Sequence, residues 1–101
     1  MSGRLPPASV LRAFEAAARN LSFTLAAAEL DLTQGAISRQ IRLLEDLLGK
    51  KLFNRFTRRV ELTAVGREYY LDIQRALFDI ERATHRAMKT ADRAILTVSV
   101  V

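Results

Sequence analysis

The chain has 101 residues, half of them hydrophobic, and 16 lysines and arginines against 11 acids give it a formal charge of +5. This is enough for one domain with a modest core and too apolar for a disordered chain; the basic balance points to a polyanionic partner, nucleic acid before a membrane surface. With no cysteine there is no disulfide, thiolate metal site or cysteine nucleophile, which fits a cytoplasmic protein, no apolar run approaches the roughly 20 residues of a membrane span, and the N-terminus lacks an apolar signal core.

Residues 1–6 read as a loose lead-in. From Pro7 to about Arg19, the spacing of Val10, Leu11, Phe14, Ala17 and Ala18 predicts a helix with one buried face, and proline suits its first turn. Ser22 then caps a short helix whose Phe23, Ala26, Ala27 and Leu30 share a face. After a tight turn at Asp31 and Leu32, Thr33 caps a third helix with Ala36, Ile37, Ile41, Leu44, Leu47 and Leu48 on its apolar side, stopped by Gly49. Two β-prone segments follow, residues 51–53 (KLF) and 60–62 (VEL), with residues 54–59 as a hairpin tip or wing.

Thr63 reads as the cap of a long helix. Its apolar residues Val65, Tyr69, Ile73, Leu77, Ile80, Thr84, Ala87 and Ala91 are spaced by threes and fours, a coiled-coil type of seam. The chain ends in ILTVSVV, residues 95–101, which predicts a β-strand with nothing visible to pair with.

Two short helices joined by a turn describe a helix-turn-helix. Ala27 allows the two helices to cross closely, and Ile37 and Ile41 pack the second onto the first. The other side of that second helix presents Gln34, Gly35, Ser38, Arg39 and Arg42. A recognition helix enters the major groove with its N-terminal end leading, where small residues let the backbone approach and the helix N-terminus favours phosphate. Gln34 can pair with adenine and Arg39 with guanine, each through two hydrogen bonds; Ser38 and Arg42 can reach bases or phosphates. Gly35 costs roughly 1 kcal/mol of helix propensity against alanine and gains close approach. An amphipathic helix with a merely solvated basic face is the plain alternative.

Between residues 50 and 59 stand Lys50, Lys51, Arg55, Arg58 and Arg59 without one acid. A wing tip carrying Arg58 and Arg59 can lie on a phosphate backbone or in a minor groove. Tyr69, Ile73, Leu77, Ile80, Thr84 and Ala87 on the long helix cannot all be covered by a domain of some sixty residues. The start of that helix, near Val65 and Tyr69, is expected to lie back on the domain, and the remainder is assigned to a two-fold dimer.

The segments LRAFEAAARNLSFTLAAAEL, LTQGAISRQIRLLEDLLGKKLFNR and RRVELTAVG together resemble the N-terminal DNA-binding domain of LysR-type transcriptional regulators, over roughly residues 5–92 and without a gap. The resemblance implies a mainly α fold: a winged helix-turn-helix over residues 1–62, then a linker and dimerisation helix over 63–92. It implies a sequence-specific regulator that binds inverted repeats in double-stranded DNA near promoters as a homodimer, or as a tetramer built from dimers. Carried over, Gln34, Ser38 and Arg39 read bases or phosphates with Arg42 nearby, Arg55, Arg58 and Arg59 hold the backbone, and Thr24 touches phosphate. Thr33 and Gly35 complete the expected interface. Many relatives have proline where this chain has Gly35.

The family also carries a large C-terminal domain that binds a small-molecule effector. Residues 93–101 are expected to be the start of that domain, cut short here, with ILTVSVV as its first strand, so no cofactor is expected within this chain. An enzyme is poorly supported: His85 is the only histidine, Glu45 and Asp46 are helix neighbours that point apart, and no metal-ligand spacing or phosphate-cradling loop is present. A protein-interaction module built on the long helix and a nonspecific nucleoid-type binder are the competing readings.

Overall fold

The computed structural model describes the backbone of residues 5–100 and the side chains of residues 5–90. Helix α1 spans Ala8–Asn20, α2 Phe23–Leu30 and α3 Gln34–Leu48; strands β1 (Phe53–Arg55) and β2 (Val60–Leu62) form an antiparallel hairpin; α4 runs Ala64–Val100. The local signals for the helix starts hold. The Ser22 hydroxyl accepts from the Leu25 N–H at 3.0 Å and that of Thr33 from the Ala36 N–H at 3.0 Å, so each satisfies a donor that the first turn leaves open. Pro7 stands just outside α1, at its N-cap. Leu21, Asp31 and Gly49 close α1, α2 and α3 in the left-handed conformation.

The core lies where the three short helices meet. Phe14, Ala17, Ala26, Ile37, Ile41 and Leu44 are buried there. Alanines at the crossings of α1 and α2 keep the helices close, and the larger side chains of α3 fill the space between them. A chain of aromatic rings then ties α1, α2, β1 and α4 together. Tyr69 of α4 lies 5.4 Å from Phe14 of α1, Phe14 5.7 Å from Phe53 of β1, and Phe53 5.3 Å from Phe23 of α2. The two pairs made by Phe53 are edge-to-face, an arrangement that adds to plain area burial.

The wing differs from its expected place by two residues. Strand β1 begins at Phe53 rather than at Lys51, with Phe53 opposite Leu62 and Arg55 opposite Val60. The backbone just before it is engaged elsewhere. The Leu52 N–H donates to the Glu45 carboxylate at 2.8 Å, and the Lys51 carbonyl accepts from the Thr63 hydroxyl at 2.7 Å. Thr63 also caps α4, accepting from the Gly66 N–H at 2.9 Å, so one side chain joins the root of the wing to the start of the long helix. Gly66 is required there: a Cβ on it would stand 2.1 Å from the Leu52 carbonyl oxygen.

Two expectations for the long helix change. Tyr69 lies back on the core, as expected for the start of the helix, and so leaves the dimer seam to which it was also assigned; Ile73, assigned to that seam, packs against this chain's own core as well, whereas Val65, expected to lie back, is 43% exposed. Of the remaining seam residues, Leu77 is half-buried, and Ile80, Thr84 and Ala87 are exposed. The strand expected over residues 95–101 does not form: α4 continues to Val100, and residue 101 lies outside the described residues. A lone strand leaves its backbone donors and acceptors unpaired, whereas a helix pairs them within itself.

Candidate nucleic-acid interface

Helix α3 carries one buried side and one open side. Ile37, Ile41, Leu44 and Glu45 are buried; Gln34, Gly35, Arg39 and Arg42 are exposed, and Ser38 sits half-buried at the border. Capping by Thr33 leaves the other N–H groups of the first turn, which point out of the helix end, free to meet an anion. A Cβ on Gly35 would meet nothing nearer than the Thr33 hydroxyl at 4.0 Å. Packing inside the chain therefore does not account for glycine at this position.

Beside this face, the N-terminal end of α2 and the wing tip enclose a cleft of about 290 Å³, and Thr24, Gln34, Phe56, Arg58 and Arg59 line it. The structure thus gathers Thr24 and Gln34 with the two wing arginines. The Thr24 hydroxyl donates to the Gln34 side-chain oxygen at 3.2 Å, which holds that oxygen toward α2. The wing tip is a tight turn closed by the Phe56 N–H donating to the Arg59 carbonyl at 2.8 Å.

The expected arginines fall into two groups. Arg39, Arg42 and Arg58 make no ion pair among the described residues. Arg59 and Arg55 are held. Arg59 donates through Nε to Glu61 at 3.1 Å and lies over the Phe56 ring at 4.5 Å. Arg55 donates through Nη1 to the Ser38 hydroxyl oxygen at 2.9 Å, approaches Glu45 with Nη2 at 3.7 Å, and covers the Phe23 ring at 5.0 Å. Two residues expected to touch DNA independently therefore touch each other.

Glu45 is the functional residue that the sequence reading passed over. It is 5% exposed, and its Oε2 accepts from the N–H groups of both Leu52 and Phe53. The carboxylate anchors the root of the wing to α3 and reaches Arg55 as well. One signal for it was available: Glu45 shares the helical period of Ile37, Ile41 and Leu48, and an acid on an apolar face is a buried polar group in need of donors.

Between α1 and α2, Arg19 bonds Glu15 and Glu29, and Asn20 adds a bond to Glu29. Hydrogen bonds from Arg19 and then Asn20 hold the Glu29 carboxyl below its ordinary value. This network matches the Arg19 charge and joins α1 to α2, so Arg19 adds little to the basic face. His85 has Glu81 four residues before it, and that carboxylate pairs with Arg12 at 3.8 Å. Among the described residues no group of acids and histidines could hold a metal ion, and no helix is long and apolar enough to cross a membrane.

Comparison with known proteins agrees with this arrangement. Residues 9–67 match the family model described as bacterial regulatory helix-turn-helix protein, lysR family. The glycine cleavage system transcriptional activator of Escherichia coli (strain K12) is 50% identical over 101 residues, which is all of this chain and 33% of that protein. The chain thus spans about a third of the length of the curated relatives it matches. Among solved structures, BenM_DBD with catB site 1 DNA matches with a TM-score of 0.79 at 34% identity, over 82% of this chain and 93% of that one. A CbnR_DBD–DNA complex matches with a TM-score of 0.75 at 35% identity, over 82% and 95%. With its winged helix-turn-helix, its exposed α3 face and a family match covering more than half its length, the chain belongs to the lysR family of bacterial regulatory helix-turn-helix proteins.

Proposed function

We propose that this chain is the DNA-binding part of a LysR-type transcriptional regulator that reads inverted repeats in promoter DNA as a homodimer, or as a tetramer of dimers. The observation that carries the proposal is the open face of α3. Gln34, Gly35, Ser38, Arg39 and Arg42 stand along a helix whose opposite side is buried in the core, as a helix inserted in the major groove requires. Gln34, Ser38 and Arg39 address base edges, Arg42 and the wing residue Arg58 the backbone, and Thr24 the phosphate nearest the start of α2. The exposed stretch of α4 through Ile80, Thr84 and Ala87 pairs with its copy and spaces the two recognition helices.

The role is binding, not catalysis, and its place is the cytoplasm, where DNA is. In the whole protein a C-terminal domain beyond the long helix takes a small-molecule effector, in line with the length of the curated relatives. Replacing Arg39 by alanine tests the reading: loss of affinity for a selected duplex by about tenfold or more, with the dimer retained in sedimentation, supports it. Unchanged DNA affinity contradicts it.

A further inference from the structure

Resting on that reading, we propose that Arg55 is a positioning residue for base recognition and not a phosphate clamp. It fixes the Ser38 hydroxyl as a hydrogen-bond donor, so that Ser38 selects an acceptor atom on the major-groove edge: guanine N7 or O6, thymine O4, or adenine N7.

Three contacts hold the Arg55 guanidinium. Nη1 donates to Ser38 Oγ at 2.9 Å, Nη2 faces the buried Glu45 carboxylate at 3.7 Å, and its plane lies over Phe23 at 5.0 Å. Glu45 is itself fixed by the Leu52 and Phe53 N–H groups. The Glu45 Oε1 atom that faces Arg55 is buried and has no hydrogen-bond partner among the described residues, so the Arg55 charge is what compensates it. A planar fork reaching two acceptors at once is a task for arginine, because the single ammonium of lysine cannot span both.

A serine hydroxyl has one hydrogen to give and two lone pairs. A charged donor occupies a lone pair of Ser38, so the hydrogen must point away from Arg55, and the polarised hydroxyl becomes a better donor. In a helix a hydroxyl can instead spend its hydrogen on the carbonyl four residues back. Thr84 and Thr90 do so at 2.8 and 3.0 Å, whereas among the described hydrogen bonds Ser38 makes none of that kind. Its hydrogen remains available on the open side of α3, between Gln34 and Arg42. Exocyclic amino groups (adenine N6, cytosine N4) are donors, so a hydroxyl set in this way discriminates against them.

The test uses the chain with random-pool duplex selection, followed by titrations at several salt concentrations, for the unaltered protein, Ser38→Ala, Arg55→Lys, the double variant of these two, and Arg55→Gln. Ser38→Ala is the safe variant, because alanine suits a half-buried helical position. The expected result is that both single variants lose about three- to tenfold discrimination at the same base-pair position, with the double variant no worse than either. The salt slope stays that of the unaltered protein, and lysine fails to restore discrimination. Removing one major-groove acceptor at that position, with a 7-deazapurine for N7 or 5-methyl-2-pyrimidinone for thymine O4, weakens the unaltered protein but not Ser38→Ala. Two outcomes overturn the proposal alone: full discrimination by Arg55→Lys, or a uniform loss across sequences with Arg55→Gln and a salt slope smaller by about one unit, the mark of a lost phosphate contact. Selection that yields no motif from the unaltered protein overturns both this proposal and the function on which it rests.

Discussion

At the level of single residues, two positions divide stability from binding. Glu45 serves the fold and the interface together. Replacing it by alanine leaves the Leu52 and Phe53 N–H groups without their acceptor, and each unpaired buried donor costs about 1–3 kcal/mol. Denaturant unfolding of Glu45→Ala should therefore show a loss of that order or more. Glu45→Gln keeps an acceptor oxygen and should lose clearly less; equal losses would mean that the two backbone bonds are not what holds the wing. Gly35 behaves in the opposite way. A methyl group there meets open space, so Gly35→Ala should raise stability by about 0.5–1 kcal/mol while weakening DNA binding, and a variant that binds DNA more tightly would argue against close backbone approach. The polarity of the α3 face was legible from residue spacing alone. The pairing of Arg55 with Ser38 was not, because it joins residues 17 apart in sequence through the fold of the wing.

Among the elements, what is local was readable. Ser22, Thr33 and Gly49 mark helix ends through chemistry within a few residues of each end, and the structure places all three as expected. The start of β1 escaped, since it depends on Glu45 and Thr63 drawing off the backbone of residues 51 and 52. Residues 95–100 were misjudged for a related reason: β-branched composition favours a strand only where another strand is present to pair with it. The joint between the wing and α4 is close-packed at Gly66. Gly66→Ala would drive a methyl group into the Leu52 carbonyl, and overpacking of this kind costs about 1–3 kcal/mol. Thermal unfolding should show the loss, together with a displaced wing and weaker DNA binding. An unchanged midpoint would contradict the close approach of the two elements.

For the whole molecule, α4 divides its apolar seam between two tasks. Tyr69 and Ile73 pack on the core, while Ile80 is left 60% exposed by the described residues. The sequence spacing showed one continuous seam and placed the division near Tyr69, a turn short of Ile73, because how far the domain covers the seam depends on how α1 lies against α4. Ile80→Glu should therefore leave the melting behaviour of the isolated domain nearly unchanged and abolish the dimer in sedimentation, with a steep loss of affinity for a two-half-site duplex. A dimer that survives the substitution would place the two-fold contact elsewhere.

Sequence-specific, two-fold reading of DNA by α3 underlies every role proposed for the interface and for α4. Selection from a pool of random duplexes by the unaltered chain, followed by sequencing of what is retained, tests this most directly. The expected product is a gapped inverted repeat whose spacing matches two recognition helices on one face of the duplex. Salt-dependent retention with no motif, or no retention at low salt from an intact dimer, would contradict it.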